Sequence, residues 1–549
     1  MSVKTIIPSP SAYGFPLLIK HLIQAPLIYA PQQQIIYRDR ASYTYEEFGR
    51  RVARLAGALD QLGVKAGDTV AVMDWDSHRY LECFFAVPML GAVLHTVNVR
   101  LSPEQLVYTI NHAEDDVILV NQEFLPMLET VKDHIGRHIK FVLLSDMDDK
   151  PQSSLPVESE YETMLASAAD SYDFPDFDEN AMATTFYTTG TTGLPKGVYF
   201  SHRQLVLHTY GAMSGLCAYK SQANISSADV YMPITPMFHV HAWGMPYFMT
   251  MLGARQVYPG RYEPATLLKL ISDHNVTFSH CVPTIMHMLM SSPEIKNVDL
   301  KGWKVIIGGS ALPKGMCLKA LEMGINVFTG YGMSETCPLL TLANLKPHML
   351  AWNTDDQATV RCRTGLPLAN VLLEVVDPDG RPVPHDGKST GEVVARSPWL
   401  TQGYAKDPSR SEDLWANGWL HTGDIGYIDG EGYLQITDRL KDVIKTGGEW
   451  ISSLELESII SQHPAVSETA VIGVPDEKWG ERPLALVVLR EAFKGQVTEE
   501  ELKDYFMKAV AQGAIPKYGV PNEVRIVDAI AKTSVGKLNK RQLRKDFGQ

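Results

Sequence analysis

The chain has 549 residues, 45% hydrophobic and 21% charged, with a formal net charge of −13. That length exceeds what one core organises, so two or more domains of a soluble globular protein are expected. The acidic balance argues against a nucleic-acid partner, and six scattered cysteines without a CxxC pair suggest neither a disulfide framework nor a zinc site, which fits a reducing cytosol.

In chain order, no signal peptide is read at the N-terminus. Phe15 to Tyr29 is apolar in patches, but Lys20, His21 and Pro26 interrupt it. It is also shorter than the ~20 residues a bilayer span needs. A helix packed on the core is expected there, with peripheral membrane contact left open. Thr44 followed by Glu47 predicts a capping box, and Val52, Leu55, Ala56 and Leu59 share one face of the helix it opens. Strands at 68–73, 92–97 and 141–144, with a helix at 80–90, predict a layered α/β domain with a largely parallel sheet. Residues 147–181 are acidic and rich in Ser and Pro, and read as a solvated excursion.

The stretch Tyr187-Thr188-Thr189-Gly190-Thr191-Thr192-Gly193-Leu194-Pro195-Lys196-Gly197 holds three glycines, four threonines and one lysine. Glycine lets successive N–H groups point into one concavity, and hydroxyls and Lys196 add donors. Apolar runs on both sides predict flanking strands, so the loop is positioned and suits a polyphosphate. Its spacing is not that of a Walker loop.

Further on, prolines keep the start of Pro233–Gly244 out of a helix. By itself this segment reads as a core turn with satisfied histidines. Buried strands are predicted at 276–282 and 305–307. The second runs into Gly308-Gly309-Ser310, where a flat ring can approach the backbone. Gly330-Tyr331-Gly332-Met333-Ser334-Glu335 repeats the idea: Tyr331 can stack on a base, and a hydroxyl and a carboxylate end the run. Residues 425–436, with two glycine turns, read as a hairpin. Asp424 just before it is an acceptor-only carboxylate that suits a diol, although alone it is simply an Asp in a turn. From Asp438 to Ile451 charges alternate with apolar residues where the composition changes, as at a hinge between domains. A compact α/β unit follows, and Lys532-Thr533-Ser534-Val535-Gly536-Lys537 opens a basic tail.

Taken together, these motifs resemble the adenylate-forming superfamily of acyl-CoA synthetases, peptide-synthetase adenylation domains and luciferases. The resemblance covers nearly the whole chain and is strongest to bacterial medium- and long-chain fatty acyl-CoA synthetases. It implies an α/β fold: a large N-terminal domain of layered α/β subdomains plus a β-rich subdomain (1–437), a hinge (438–442) and a small mobile α+β C-terminal domain (443–549). It implies a fatty acid, ATP, Mg²⁺ and CoA as substrates and cofactors. Relatives in that group include dimers, which makes a homodimer an expectation.

Residue by residue, the resemblance assigns Thr188, Thr189, Gly190, Thr191, Thr192 and Lys196 to the phosphates. Gly309, Ser310, Gly330, Tyr331, Gly332, Met333 and Ser334 would wall the adenine, and Glu335 would hold Mg²⁺. Asp424 would accept the ribose hydroxyls, and Arg439 would reach the ribose or phosphates. His239 would sit beside the substrate carboxylate, Trp243 would gate the acyl tunnel, and Met237 and Phe328 would line it. Lys441 would be the pivot, with Lys445, Gly447 and Gly448 on the CoA side. Lys537 would be catalytic. The family often has Pro before the first lysine of that last motif, where this chain has Ala531.

An aryl or cinnamate-type CoA ligase is the alternative within the same chemistry. A stand-alone amino-acid adenylation module would feed a carrier, and no carrier attachment site is read downstream. A nucleotide sensor without turnover conflicts with the presence of Glu335, Asp424, Arg439 and Lys537 together.

Overall fold

The computed structural model describes residues 3–147, 151–188, 194–446, 449–512, 515–533 and 538–548. Among them the strands form four sheets. The seven-stranded sheet has Thr69–Met73 at its centre, paired in parallel with Val93–Thr96 and Asp115–Asn121. Helices cover both faces of such a sheet, so its strands are continuous apolar runs; Val70, Ala71, Val72 and Met73 are fully buried. One edge is antiparallel, where Lys196–Ser201 turns back on Met182–Thr188. The capping box forms as predicted in part: Thr44 accepts from the Glu47 N–H at 3.3 Å, and helix Tyr45–Gln61 buries Val52, Leu55, Ala56 and Leu59.

A nine-stranded sheet lies beside it. Its strands from Gln34–Tyr37 through Arg255–Tyr258, Val230–Pro233, Phe278–Cys281 and Lys304–Ile307 to Asn326–Gly332 run parallel. The third sheet is antiparallel and contains the predicted hairpin, Trp419–Ile428 against Leu434–Arg439. These three sheets make the large N-terminal region. The fourth belongs to the smaller C-terminal unit, whose own core includes Leu456, Ile460, Val471, Val487, Leu502 and Phe506. Thr498 and Glu501 form a capping box on its helix Glu499–Ala511. The fold class is the one expected from the motifs.

Two local readings differ from the sequence expectation. Within 147–181, strand Val157–Glu160 extends the seven-stranded sheet and helix Tyr161–Ala166 buries Tyr161, Met164 and Leu165. Matched charges draw this polar segment in. The Tyr161 hydroxyl donates to buried Glu82 at 2.6 Å, and Arg51 pairs with both Glu82 and Glu162 at 2.7 Å. At the N-terminus, Leu18, Ile19, Leu22 and Ile23 are buried, but helix Gln24–Tyr29 leaves Ile28 and Tyr29 exposed. No helix among the described residues is long and apolar enough to cross a membrane.

The segment joining the two units is anchored on the C-terminal side. The Asp438 carboxylate accepts from the Ser453 N–H at 2.7 Å and from its hydroxyl at 2.6 Å. Arg544 pairs with Asp442 at 2.7 Å. Across the units, Ser467 Oγ lies 3.4 Å from His287 Nε2.

Candidate active site

Strand Asn326–Gly332 carries the site. Its parallel register on Lys304–Ile307 brings Gly330, near its end, beside Gly308, which follows that neighbouring strand. At 332 a Cβ would sit 1.8 Å from the Pro338 carbonyl oxygen, so only glycine lets the two backbones pass. The result is a recess whose walls include His239, Trp243, Gly309, Gly330, Tyr331, Gly332, Met333 and Ser334. Residues nearly 100 positions apart in the chain thus share one concavity.

Tyr331 ties this recess to the antiparallel sheet. Its hydroxyl donates to Asp424 Oδ2 at 2.7 Å. The hairpin register sets Asp424 opposite Arg439, and Arg439 Nε lies 3.2 Å from Asp424 Oδ1. Asp424 is buried while Arg439 is half exposed, so the guanidinium can leave one partner for another. The Asp424 charge is the main cause that strengthens Arg439's hold on its proton. Burial first, and Asp424 second, push the Tyr331 hydroxyl far up, which keeps it a donor. At Lys441 desolvation first, then the Arg439 guanidinium, hold the ammonium below the usual lysine range.

A second cluster joins the predicted phosphate loop to Glu335. Thr188 and Lys196 are register partners across the loop. Lys196 Nζ lies 4.3 Å from the centre of the Tyr404 ring, and the Tyr404 hydroxyl donates to Glu335 Oε1 at 2.7 Å. The backbone is stitched in the same place: the Ala405 N–H donates to the Gly197 carbonyl and the Thr401 N–H to the Glu335 carbonyl, both at 2.9 Å. Sequence reading missed Tyr404. It follows a short polar turn with no spacing to mark it, and only the fold brings it to Glu335. No group of three or more His, Cys, Asp or Glu side chains among the described residues forms a metal cage. One buried hard carboxylate beside a phosphate loop nevertheless suits Mg²⁺, which keeps its waters and takes its remaining ligands from phosphate oxygens.

The third wall is the Pro233–Gly244 segment. Five successive residues, Val240 to Gly244, have φ between 46° and 74°. A left-handed turn costs an L-residue about 1–2 kcal/mol, so the surroundings must impose it. His241 is buried among the rings of Phe84, Phe186 and Phe200 and lies 2.8 Å from Thr184 Oγ1. Burial pulls its imidazole down to about 3, so it is neutral. His241 is therefore a buried core histidine whose Nδ1 has no hydrogen-bond partner, and His239 is the one that reaches the recess. The turn delivers the Trp243 indole to the recess, against the His280 ring at 5.0 Å between centroids.

Asp76 holds the front of this segment. Its carboxylate accepts the Met237 N–H at 2.8 Å and the Tyr262 hydroxyl, and its carbonyl accepts the Gly260 N–H at 2.8 Å. Burial pushes the Asp76 carboxyl up to about 8, against those two hydrogen bonds. A raised acid favours the folded state below its unfolded value, and the benefit is lost as pH rises through the folded value. Asp76→Asn cannot ionise. Its melting temperature, relative to the parent chain, is expected to climb by at least about 2 °C between pH 5 and pH 8. A constant difference across that window would remove Asp76 as the source.

The other predicted residues are placed as follows. Met237 and Phe328 are fully buried in the main core and are not among the residues lining the recess. Ser310 lies one residue past the lining glycines. Lys445 is exposed on strand Ile444–Thr446, where its N–H donates to Glu481 at 2.9 Å. Thr189, Gly190, Thr191, Thr192, Gly447, Gly448 and Lys537 lie outside the described residues.

Against known proteins, the model of the AMP-binding enzyme family matches residues 29–405 and that of the AMP-binding enzyme C-terminal domain matches residues 455–537. The chain belongs to the AMP-binding enzymes, the adenylate-forming family its motifs resemble. The two relatives described next are named as CoA ligases. It is 42% identical to the long-chain-fatty-acid–CoA ligase of Thermus thermophilus, over 92% of this chain and 90% of that one. It is 37% identical to the 3-methylmercaptopropionyl-CoA ligase of Ruegeria lacuscaerulensis, over 97% of each. The crystal structure of the anthranilate CoA ligase AuaEII in complex with anthranoyl-AMP has the same fold, with a TM-score of 0.83 at 23% identity, over 97% of this chain and 98% of that one.

Proposed function

We propose that the chain activates a medium- to long-chain fatty acid with ATP, giving acyl-AMP and pyrophosphate, and then transfers the acyl group to CoA, giving acyl-CoA and AMP. The observation that carries this reading is the junction of two walls: Tyr331, hydrogen-bonded to Asp424, which pairs with Arg439, lines the same recess as His239 and Trp243. One side suits a nucleoside and the other a carboxylate with an apolar tail.

A carboxylate is a poor acyl donor because its leaving group would be oxide. In the first step a carboxylate oxygen attacks the α-phosphorus and pyrophosphate leaves. Negative charge builds on the phosphates and the bridging oxygen, so cation placement and positioning carry the rate. Asp424 accepts the ribose hydroxyls and Tyr331 stacks on the base. Thr188, Lys196 and the loop between them bind the β- and γ-phosphates, and Lys537 faces the carboxylate and bridging oxygens. A Mg²⁺ held by Glu335 would neutralise charge on the departing pyrophosphate. In the second step the CoA thiol needs the place Lys537 occupied. The unit from 443 onward turns about Lys441 within the hinge 438–442, and Gly447 and Gly448 then border the pantetheine path.

The test is a series of acids from butyrate to palmitate, with a cinnamate, assayed for pyrophosphate release and thioester formation. Each buried CH₂ is worth ~0.8 kcal/mol, about fourfold, so two added carbons bring roughly 15-fold until the tunnel ends. Pyrophosphate release that ignores the acid would defeat the ligase reading, and a cinnamate outrunning every aliphatic acid would defeat the fatty-acid one.

A further inference from the structure

Strand Leu434–Arg439 belongs to the antiparallel sheet of the large region, and Lys441 follows closely on its end. The Leu440 N–H still donates to the Gly423 carbonyl of that sheet at 2.9 Å, whereas Ile444–Thr446 is already a strand of the C-terminal sheet. A turn about Lys441, as the two-step reading requires, therefore moves everything from 442 onward against Thr437 and Asp438.

Yet both of these residues are bonded to the far side of that pivot. Asp438 Oδ2 accepts from the Ser453 N–H at 2.7 Å and from the Ser453 hydroxyl at 2.6 Å. The Ser452 hydroxyl donates to the Thr437 carbonyl. Both serines stand at the N-terminus of helix Ser453–Ile460 in the C-terminal unit. Behind Ser453 lies Lys540, which opens helix Lys540–Phe547; its ammonium donates to the Ser453 hydroxyl and pairs with Glu457 at 2.8 Å. Glu457 also accepts the Val471 N–H at 2.8 Å, which fixes it to its own sheet. Asp438, Ser453, Glu457 and Lys540 are all buried. Burial pushes the carboxyls of Asp438 and Glu457 up, and the Lys540 ammonium draws both back down. A buried charge is tolerated only where it is paired and hydrogen-bonded. From its own strand the Asp438 carboxylate receives the Arg439 N–H at 2.8 Å, and the two Ser453 donors come from the other unit.

The orientation that these bonds fix has a direction. Ser467 Oγ lies 3.4 Å from His287 Nε2, on helix Pro283–Ser291 of the large region. The next residue, Glu468, pairs with Lys532 at 2.9 Å. Helix Pro283–Ser291 follows strand Phe278–Cys281, whose Cys281 carbonyl accepts the Gly308 N–H at 3.1 Å, and Gly308 lines the recess. The side of the C-terminal unit that carries Lys532 is thus turned toward the helix that starts at the recess.

We infer that Asp438, Ser453 and Lys540 form a latch across the pivot: positioning residues that hold the C-terminal unit in the orientation for acyl-AMP formation and must let go before transfer to CoA. The direction of this effect rests on the two-step ligase reading; the latch itself rests on the hydrogen bonds alone. Hydrogen bonds to a carboxylate are the strong ones, so losing the Ser453 pair weighs heavily in the balance between two orientations. Lys540 backs the latch without crossing the pivot, and Arg544, on the same helix, pairs with Asp442 at 2.7 Å just beyond the pivot. Helix Lys540–Phe547 therefore braces both the latch and the first residues that must move.

The experiment uses the full-length chain and limited trypsin digestion, with the cuts mapped by mass spectrometry. Lys441 is exposed, and cleavage there follows the population of the open latch. In Ser453→Ala and Asp438→Ala, cleavage after Lys441 is expected to rise about tenfold, and further in Asp438→Ala, which loses both hydrogen bonds. Cleavage after Lys508, exposed on helix Glu499–Ala511 of the same unit, is expected to stay at the parent rate. Should Asp438→Ala fail to fold, Ser453→Ala, which removes a single oxygen, carries the test. A second readout compares pyrophosphate release with thioester formation from synthetic acyl-AMP: the ratio of the first rate to the second is expected to fall about tenfold, whereas a general loss of stability lowers both alike. Cleavage after Lys441 at the parent rate, an equal rise at Lys508, or an unchanged ratio would overturn the inference. The trypsin arm needs no acid, nucleotide or CoA, so the latch and the proposed function can fail separately.

Discussion

Lys537→Ala is expected to lower acyl-adenylate formation by about 10²–10³-fold while leaving the transfer of a preformed acyl adenylate to CoA near the parent rate. The argument is electrostatic. The first half-reaction gathers negative charge on phosphate and on the bridging oxygen, and one preorganised cation there supports that charge. The second half-reaction replaces adenylate by thiolate on a carbonyl and places no comparable demand on the same point. The nearby Lys532 cannot deputise, because its ammonium is held 2.9 Å from Glu468. On either side of it, Lys532 bridges Leu538, and the Asn539 N–H donates to the Ala531 carbonyl at 2.8 Å. Pyrophosphate release measures the first half, and thioester formation from synthetic acyl-AMP measures the second. Equal losses in both would sink the division of labour.

Glu335→Gln is the second large effect. The amide oxygen can still accept the Tyr404 hydroxyl, so the local geometry is retained while the negative charge is lost. Adenylate formation is expected to fall by about 10²–10³-fold, with the half-saturating Mg²⁺ concentration raised. Tyr404→Phe removes a hydrogen bond to a carboxylate, worth about 1.5–3 kcal/mol, and is expected to cost roughly tenfold or more. Because the two side chains touch at 2.7 Å, their effects should be coupled, and the double variant should be less impaired than the product of the singles. An unchanged Mg²⁺ dependence in Glu335→Gln would show that the carboxylate acts only as Tyr404's partner.

Much of this architecture was legible because local chemistry and the fold agree. Thr44 with Glu47 announces a helix that the structure contains. The glycine runs at 308–309 and 330–332 announce close backbone approach, and the Pro338 carbonyl beside Gly332 is its physical cause. Asp424 and Arg439 were each readable, but their pairing depends on a hairpin register that sequence does not print. Tyr404 was illegible for the same reason, since its partner Glu335 is 69 positions away. Composition misled at 157–166, where buried charge pairs fold a polar segment into the sheet edge. Met237 and Phe328 are fully buried in the main core. Nothing in Val240-His241-Ala242-Trp243 signals a left-handed turn, because the packing around His241 imposes it.

The contact at Gly332 also bears on how this scaffold can be re-engineered. What a Cβ would strike there is main chain, which cannot rotate aside, whereas at Gly330 the nearest atom is the Ile306 methyl group. Mutant libraries that aim at new acids can therefore explore the Trp243 side freely. Codon 332 should be left out of them, since every one of its variants would fail before any substrate was tried.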